Sequence, residues 1–373
     1  MYCPPSIEIV GEQLNPEQAR FWDIVYTKGL GEFFYRNTVD FRGLIRFPSE
    51  LRPAQQPLPS AGQAGRILVP WGGGKDSAVT AELLKAAGMP FDLFSFGEHR
   101  LQMRMAERSG KRLLTLIHTP DPKLAARTED GSVLSGHIPY TATYTFASVL
   151  MALLGEYQWI AFSNERSANI GNVEYLGLTI NHQWSKSGEF ELMARNYINT
   201  FITPDIHVFS LLRPLSEVEI IKRFAKLPQY FDIFSSCNGN FFGEGLRLGR
   251  TKTYWCGRCA KCAFVFAGLA AYLPKEVVVG IVGCDMYADE SLVPLFSALL
   301  GIDSFKPFEC VGTPDEMIVA MHHAQESHSY DAEPIMSFFG GRVADRDFAA
   351  LERAAHSAGD VSNIPKEFRR LLI

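Results

Sequence analysis

Short apolar runs alternate with amphipathic segments through the middle of this chain. The runs are bounded by turn residues, as is typical of buried strands, and occupy residues 66–71, 91–96, 112–118, 158–163 and 206–210. Between them, apolar residues recur at three- or four-residue spacing, which predicts helices over 76–88, 98–109, 139–154, 189–202 and 215–226. The expected fold class is therefore α/β, a parallel sheet with helices on both faces and ligands at the carboxyl ends of its strands.

The pattern divides the chain into regions of different character. Residues 1–62 form an aromatic-rich N-terminal extension, and a Pro-, Gln-, Ser- and Gly-rich stretch over 53–65 is typical of a linker. The α/β domain covers residues 63–231, and a cysteine-rich module covers 232–275. In the C-terminal region, 276–373, residues 277–324 are expected to form an α/β extension.

A glycine-rich turn joins the first predicted strand to the first predicted helix. Glycines let the backbone approach a ligand closely, and N–H groups at a helix start point at one spot where the helix dipole favours negative charge. A lysine and nearby hydroxyl groups add positive charge and further donors. The sequence therefore predicts an anion site here, formed by Gly72, Gly73, Gly74, Lys75, Asp76 and Ser77.

This turn lacks the Walker spacing, because an aspartate rather than Ser or Thr follows its lysine. It resembles the PP-loop of the ATP pyrophosphatase superfamily, usually written Ser-Gly-Gly-x-Asp-Ser. Gly73, Gly74, Asp76 and Ser77 fit that pattern, whereas Gly72 stands where the first serine is expected. The resemblance implies an ATP-binding PP-loop sheet, of the adenine nucleotide alpha hydrolase type. An ordinary glycine-rich turn is the alternative.

Composition and charge narrow the class of protein. The 373 residues carry a net charge of −5, which argues against an extended nucleic-acid-binding surface. No apolar run reaches the roughly 18 residues that span a bilayer, and the first residues lack a basic-then-apolar leader. We therefore expect a cytoplasmic protein with no membrane or nucleic-acid partner. The sequence is silent on oligomeric state.

Closely spaced cysteines indicate a metal site rather than disulfides. Cys256, Cys259 and Cys262 have C-x2-C-x2-C spacing, and Cys237 lies upstream of them. Four sulfurs suit tetrahedral zinc in a closed structural site. An iron–sulfur cluster and packed cysteines without metal are the alternatives. A PP-loop family that makes 7-cyano-7-deazaguanine has a similar cysteine arrangement, which favours zinc.

Polar residues follow two of the predicted strands. Ser95 and Phe96 end the second strand, and Asn164, Glu165 and Arg166 follow the fourth. Because the carboxyl ends of parallel strands lie at one edge of a sheet, we expect these residues to face the same crevice as the glycine turn.

Two later segments hold further candidates for chemistry. Residues 181–187 surround one tryptophan with polar side chains, which indicates a ligand or a buried hydrogen-bond network. In residues 308–316, a helix start capped by Thr313 and Glu316 leaves Glu309 and Cys310 unexplained. A thiol with a lowered pKa can abstract a proton, so this pair and His182 are candidates for proton transfer.

Sequence strings over most of the chain resemble the UDP-N-acetyl-alpha-D-muramoyl-L-alanyl-L-glutamate epimerase family of peptidoglycan precursor synthesis. They lie between about residue 40 and residue 325 and include GGGKDS, SNERSA, NHQWSKS, SCNGNF, WCGRCAKCAFVF and KPFECVGTPDE. GGGKDS is common to the superfamily, whereas NHQWSKS, WCGxCxKCxFVF and FECVGT are more specific. The resemblance implies an enzyme that inverts the terminal L-Glu of UDP-MurNAc-L-Ala-L-Glu and converts ATP to AMP and pyrophosphate.

The chemistry implied by this resemblance is consistent with an ATP site. Removing a proton beside a carboxylate is unfavourable because the negative charge of the carboxylate opposes carbanion formation. Adenylation would replace that charge with a neutral acyl group and make an enolate accessible. Reprotonation and hydrolysis would then release AMP. The cofactors implied are ATP, Mg²⁺ and a structural Zn²⁺, and the implied partner is the UDP-linked muramoyl dipeptide substrate.

The resemblance also implies roles for individual residues. The expected catalytic residues are Lys75, Asp76, Lys186, Cys310, Glu309 and His182. The expected ATP-binding residues are Gly72, Gly73, Gly74, Ser77, Ser95, Phe96, Asn164 and Glu165. Substrate would contact Arg166, Trp184, Ser185 and Arg195. The expected zinc ligands are Cys237, Cys256, Cys259 and Cys262. Residues 276–373 would be associated with the substrate.

Two other functions stay open at the level of sequence. A PP-loop ligase that modifies a nucleobase or tRNA fits the cysteine module, although the acidic net charge argues against tRNA. A non-catalytic, zinc-bearing interaction module is the second, and its only support is Gly72 in place of serine.

Overall fold

A computed structural model of the chain describes residues 6–51, 56–57, 59, 63–119, 121–123, 127, 131, 133–241, 254–302, 305–344 and 346–372. Most of the predicted linker at 53–65 lies outside them. The strands are β1 (Gln63–Pro70), β2 (Phe91–Phe96), β3 (Leu113–Leu116), β4 (Tyr157–Phe162), β5 (Val173–Tyr175), β6 (Leu178–Ile180) and β7 (His207–Ser210). β5 and β6 pair as a separate antiparallel hairpin.

The main sheet is parallel and has the strand order β3-β2-β1-β4-β7. All five strand predictions are therefore confirmed. The chain winds outward in one direction from β1 to β3 and then in the other to β4 and β7. A crevice forms beside the carboxyl end of β1, where the direction changes, and this is where open α/β sheets bind ligands.

Helices pack on both faces of this sheet, as predicted. In chain order they are α1 (Pro16–Gly29), α2 (Gly31–Arg36), α3 (Lys75–Ala86), α4 (Arg100–Ser109), α5 (Tyr140–Gly155), α6 (Gly188–Phe201) and α7 (Glu217–Phe224). Ile67 and Val69 of β1 pack with residues of α3, α4 and α7. Leu68 points to the opposite face and packs with residues of α5 and α6, because side chains alternate along a strand.

The N-terminal extension is folded against the α/β domain. Asn15 and Gln18 form a capping box that starts α1. The indole Nε1 of Trp22 in this helix donates a hydrogen bond to the hydroxyl of Tyr197 in α6, at 3.2 Å. The extension is therefore tied to the edge of the domain by aromatic packing and a hydrogen bond between distant parts of the chain.

The C-terminal part is helical, so the expected α/β extension over 277–324 is wrong for the described residues, 275–302, 305–344 and 346–372. A short helix, α8 (Asn238–Phe241), directly follows Cys237. The later helices are α9 (Ala260–Ala270), α10 (Lys275–Val282), α11 (Val293–Leu299), α12 (Pro314–Glu326), α13 (Pro334–Ala344), α14 (Phe348–His356) and α15 (Lys366–Arg369).

The β-branched run that begins at Val277 reads locally as a strand but folds as α10. Pro274 precedes the first helical residue, and Gly283 ends the helix with a left-handed φ of 87°. One face of α10 buries Val278, Ile281 and Val282, at helical spacing. Tertiary burial and the two end signals therefore outweigh the strand preference of valine and isoleucine. No helix in the described ranges has the length and apolar character needed to cross a membrane.

Candidate active site

The glycine turn has the geometry of an anion cradle. Gly73 has a left-handed φ of 72°, and a Cβ there would lie 3.0 Å from the backbone of Gln102. Gly74 is extended and starts α3 without any side-chain cap, so the first N–H groups of this helix are left for a ligand. A Cβ on Gly72 would meet no atom within 4 Å. The turn therefore has room for a serine at that position but does not require one.

Lys75 is buried and forms ion pairs with two carboxylates. Its Nζ lies 2.5 Å from Oδ1 of Asp76 and 2.5 Å from Oε2 of Glu217, the first residue of α7. Burial alone would lower the pKa of Lys75, but the two carboxylates raise it above its ordinary value. The ammonium is therefore held within the floor of the site.

A third carboxylate makes this floor acidic. Glu165 is 2% exposed, and its Oε1 is buried without a hydrogen-bond partner. Burial raises the pKa of Glu217 to about 8; Lys75 opposes the shift, and Asp76 and Glu165 add to it. Two carboxylates thus pair with Lys75, and a third lies within electrostatic reach of Glu217. Carboxylate oxygens are the ligands that Mg²⁺ prefers.

A cysteine, a histidine and a glutamate are connected in the adjoining part of the site. Nδ1 of His182 is hydrogen-bonded to Oε2 of Glu32 in α2, and the His182 side chain also hydrogen-bonds to Cys310. The ring of His137 lies 4.3 Å from the ring of His182. Glu32, His137 and His182 also place one ligand atom each within 4.8 Å of one another. Here the His182 ring links the carboxylate to the thiol.

The charges around this group favour a thiolate paired with an imidazolium. Burial would raise the pKa of Cys310, but Lys186, Lys261 and His182 hold it well below its usual range. Burial would lower the pKa of His182, but its hydrogen bonds to Cys310 and Glu32 raise it to about 9. Thiolate and imidazolium are thus the stable forms of this pair near neutral pH.

The environments of two neighbouring side chains shift their pKa values in opposite directions. Burial, together with the positive charge of His182, lowers the pKa of His137 to about 4, so its ring is neutral at pH 7. Burial raises the pKa of Glu309, and Lys261 opposes this shift. Glu309 accepts a hydrogen bond from the side-chain amide of Asn238. Both groups lie within the electrostatic reach of Cys310.

Lys186 connects the thiol group with the acidic floor. Burial would lower its pKa, but Cys310, Glu165, Asp76 and Glu217 raise it. Its ammonium makes no hydrogen bond to the described part of the chain. Such a positive charge, unpaired but surrounded by anionic groups, is suited to an anionic ligand that enters between them.

The cysteine module can hold one metal ion. Sulfurs of Cys237, Cys256, Cys259 and Cys262 lie within 4.8 Å of one another. The sulfur of Cys262 is 3.6 Å from that of Cys256 and 3.4 Å from that of Cys259. Zn–S bonds of about 2.3 Å in a tetrahedron require sulfurs about 3.8 Å apart, so the donor set fits a single zinc ion.

Comparison with known proteins identifies the family. Residues 1–211 match the family model of the MurL N-terminal domain, and residues 233–354 match that of the MurL C-terminal domain. A Xanthomonas oryzae pv. oryzae relative named UDP-N-acetyl-alpha-D-muramoyl-L-alanyl-L-glutamate epimerase is 40% identical over 85% of this chain and 69% of its own length. The chain belongs to the MurL family.

Two further relatives carry the same epimerase name. One, from a Micromonospora species, is 35% identical over 99% of this chain and 81% of its own length. The other, from Salinispora tropica, is 36% identical over 95% of this chain and 76% of its own length. The resemblance proposed from the sequence strings is therefore confirmed at the level of the family.

Two arginines expected to bind ligands in this MurL-family chain make contacts within the protein, and their roles in binding stay predictions. The Arg166 guanidinium donates to backbone carbonyls at the end of α14, including that of Ala354 at 2.7 Å. Arg195 donates to the carbonyls of Val208 and Asn363. The Arg195 guanidinium also pairs with Oε1 of Glu191 at 3.3 Å. The structure thus places both guanidinium groups in hydrogen bonds within the protein.

The other expected contacts lie at the carboxyl ends of the strands or in the loop before α6. Ser95 is buried, and its hydroxyl hydrogen-bonds to that of Thr115 on β3 at 2.9 Å. Phe96 stacks on His118, and Asn164 donates to the hydroxyl of Ser210. Trp184 and Ser185 are buried, and the indole of Trp184 donates a hydrogen bond to Glu189. In the first turn of α3, the hydroxyl of Ser77 donates a hydrogen bond to the Gly74 carbonyl.

Five charged or titratable side chains around the site were not predicted from the sequence: Glu32, His137, Glu217, Lys261 and Lys306. Lys306 is buried, and burial lowers its pKa, which Glu165 and Glu316 oppose. For Glu32, the sequence did contain a signal: a charged residue stands within an apolar stretch, Gly-Glu-Phe-Phe, at the start of α2. Glu217 follows the N-cap Ser216 and therefore looked like an ordinary acidic first-turn residue.

Proposed function

We propose that this protein is an ATP-dependent epimerase that inverts the terminal L-Glu of UDP-MurNAc-L-Ala-L-Glu through an acyl-adenylate, in peptidoglycan precursor synthesis. The epimerase names of the relatives support the reaction class. The observation that carries the mechanism is the Cys310–His182–Glu32 group, joined through Lys186 to the acidic floor beside the glycine turn.

At the nucleotide end of the site, Gly73, Gly74 and the start of α3 would hold the phosphates of ATP. Asp76 and Glu165 would be ligands of Mg²⁺, which neutralises phosphate charge when bound. The orphaned Oε1 of Glu165 supports this assignment, since a buried carboxylate oxygen without a donor suits a cation. Lys75 would hold the carboxylates apart and in place.

At the other end, the Cys310 thiolate would take the α-proton of the activated glutamate and become a thiol. His182 keeps the sulfur ionised before this step, and Glu32 keeps His182 protonated and oriented. Lys186 would stabilise negative charge that develops on the activated carboxyl group. The zinc ion proposed for the four cysteines would supply folding energy rather than chemistry, because all its coordination positions would be filled by sulfur.

The test is to incubate the protein with ATP, Mg²⁺ and UDP-MurNAc-L-Ala-L-Glu in deuterated water. We expect AMP, pyrophosphate and deuterium at the α-carbon of glutamate. A Cys310→Ser variant should lose deuterium incorporation by at least about 100-fold, since general acid–base groups contribute at least that much. Cys284→Ser, a partly buried cysteine in a different part of the fold, is the matched control.

Two outcomes would contradict the proposal in different ways. AMP formation without deuterium would exclude epimerisation and favour a ligase that uses the same nucleotide site. Full deuterium incorporation by Cys310→Ser would leave epimerisation standing but remove Cys310 from proton transfer.

A further inference from the structure

A second group of potential metal ligands lies between α12 and α14, outside the candidate active site. It consists of His323 on α12 and of Glu352 and His356 on α14. One ligand atom from each lies within 4.8 Å of the other two. Glu352 and His356 are four residues apart, so they project from the same face of α14.

Both imidazoles are already oriented by carboxylates. Nδ1 of His323 lies 2.9 Å from Oε2 of Glu326, and Nδ1 of His356 lies 2.9 Å from Oε2 of Glu219 in α7. In metal sites, a ligating histidine typically bonds a carboxylate through one ring nitrogen and binds the ion through the other. The geometry therefore leaves Nε2 of both rings for a ligand.

Two polar atoms beside this group are buried without a partner. Nε2 of His323 makes no hydrogen bond, although Oε1 of Glu352 is 3.3 Å away. The Tyr272 hydroxyl is also unpaired, and its ring centroid lies 6.0 Å from that of His323. Burial raises the pKa of Tyr272, and the charges of Glu219 and Glu352 add to this shift. An ion with bound water would satisfy both atoms.

We propose that His323, Glu352 and His356 bind a divalent transition-metal ion of the zinc class. Two imidazole nitrogens and one carboxylate form a donor set that suits zinc, whereas Mg²⁺ and Ca²⁺ prefer oxygen ligands alone. Three protein ligands leave a coordination position for water.

The ion would join α12 to α14 and, through the hydrogen bond between His356 and Glu219, to the first turn of α7. His323 lies near the end of α12, whose first turn contains Glu316. Oε1 of Glu316 accepts a hydrogen bond from the backbone N–H of Glu217 at the start of α7, at 2.7 Å. The metal would therefore stabilise the packing of helices that form one wall of the site, rather than take part in the reaction.

The test uses the full-length chain, stripped of metal with a chelator and then titrated with Zn²⁺ or Co²⁺. Bound metal is counted by mass spectrometry of the desalted protein. We expect one equivalent at the four cysteines, with a thiolate-to-cobalt absorption band, and a second equivalent without that band. Binding of the second equivalent should raise the melting temperature.

Substitutions at the proposed ligands show where the second equivalent of metal binds. His323→Gln combined with His356→Gln should abolish it, and Glu219→Gln should weaken it by about 10–100-fold, the usual effect of losing the carboxylate behind a ligating histidine. His328→Gln is the matched control, because His328 also bonds a carboxylate through Nδ1, that of Asp331 at 2.8 Å, but is exposed and outside the cluster.

Absence of a second equivalent in the unmodified protein would overturn the proposal. Retention of that equivalent by the double variant would do so too, because the ion would then lie elsewhere, for example at Glu32, His137 and His182. If the double variant does not fold, the site can be tested in the protein without substitutions by measuring how far Zn²⁺ protects each histidine from diethyl pyrocarbonate. Zn²⁺ should protect His323 and His356 but not His328, and equal modification of all three would refute the site.

Discussion

Glu32 and His182 form a partly buried hydrogen bond between the N-terminal extension and the loop before α6. Burial would raise the pKa of Glu32, but the hydrogen bond from His182 and its positive charge lower it below the ordinary range. The extension is therefore part of the candidate active site, because it supplies the carboxylate that fixes the imidazole next to Cys310.

Removing the Glu32 charge should make Cys310 less reactive. In Glu32→Gln, His182 loses its charged partner and its pKa falls, so the thiolate is less stabilised and the pKa of Cys310 rises. We expect the pH profile of Cys310 alkylation by iodoacetamide to move upward by about one pH unit, so that the rate falls most at the acidic end of the profile. Mass spectrometry of the Cys310 peptide against pH measures this without ATP or substrate.

Glu17→Gln is the control for that experiment, because Glu17 is exposed in the first turn of α1. Its alkylation profile should match that of the unmodified protein. An unshifted profile for Glu32→Gln would show that Glu32 does not act on the thiol.

His137 should make the protein sensitive to acid. Its pKa is about 4 in the folded state and about 6.5 when unfolded, so between these values the unfolded chain binds the extra proton. Stability must then fall as the pH falls from about 6.5 to 4, by about 2 kcal/mol at pH 5. In urea unfolding, His137→Gln should lose less stability between pH 8 and pH 5 than the unmodified protein; an equal loss would contradict this assignment.

Replacing Lys75 alone should destabilise the folded protein more than replacing Lys75 together with Glu217. Lys75→Met breaks the buried pair between Lys75 and Glu217, and breaking such a pair costs about 3–5 kcal/mol. Adding Glu217→Gln replaces the buried acid that has lost its cation by a neutral amide, so the double variant should regain part of the loss. Urea unfolding of the unmodified protein, both single variants and the double variant measures the coupling. Additive losses would mean that the pair is not coupled.

Disrupting the four-cysteine site should remove a metal ion and lower stability. Cys259→Ser replaces one sulfur ligand, and a zinc site with three thiolates binds its ion less tightly. We expect less than one cysteine-bound zinc per chain after dialysis against a chelator, and a lower melting temperature. Cys284→Ser should retain the ion; full zinc retention by Cys259→Ser would exclude that cysteine as a ligand.

Local patterns were sufficient to predict the sheet, the helices around it and the glycine turn. Apolar run length and spacing are direct consequences of strand and helix geometry, and the turn is a continuous stretch of sequence. The segment from Val277 to Val282 shows the limit, since its β-branched residues favour a strand until Pro274, Gly283 and the burial of one face are counted.

Contacts between segments far apart in the sequence could not be predicted from the local pattern of apolar and polar residues. Cys310 and His182 could be named as candidates because their own sequence neighbourhoods were unusual. Glu32 and Glu217 could not, because each looks ordinary in sequence and acquires its role only by burial beside a residue far along the chain. Arg166 shows the converse, since its guanidinium bonds backbone carbonyls of α14 that no local pattern associates with it.

The thiolate of Cys310 depends on groups contributed by three separated parts of the chain: Glu32, His182 with Lys186, and Lys261. Before these segments meet, Cys310 is an ordinary thiol with a pKa of about 8.5. A nascent or truncated polypeptide would therefore have little chemical reactivity at this position. Rapid alkylation of Cys310 is consequently expected only after these segments have packed together.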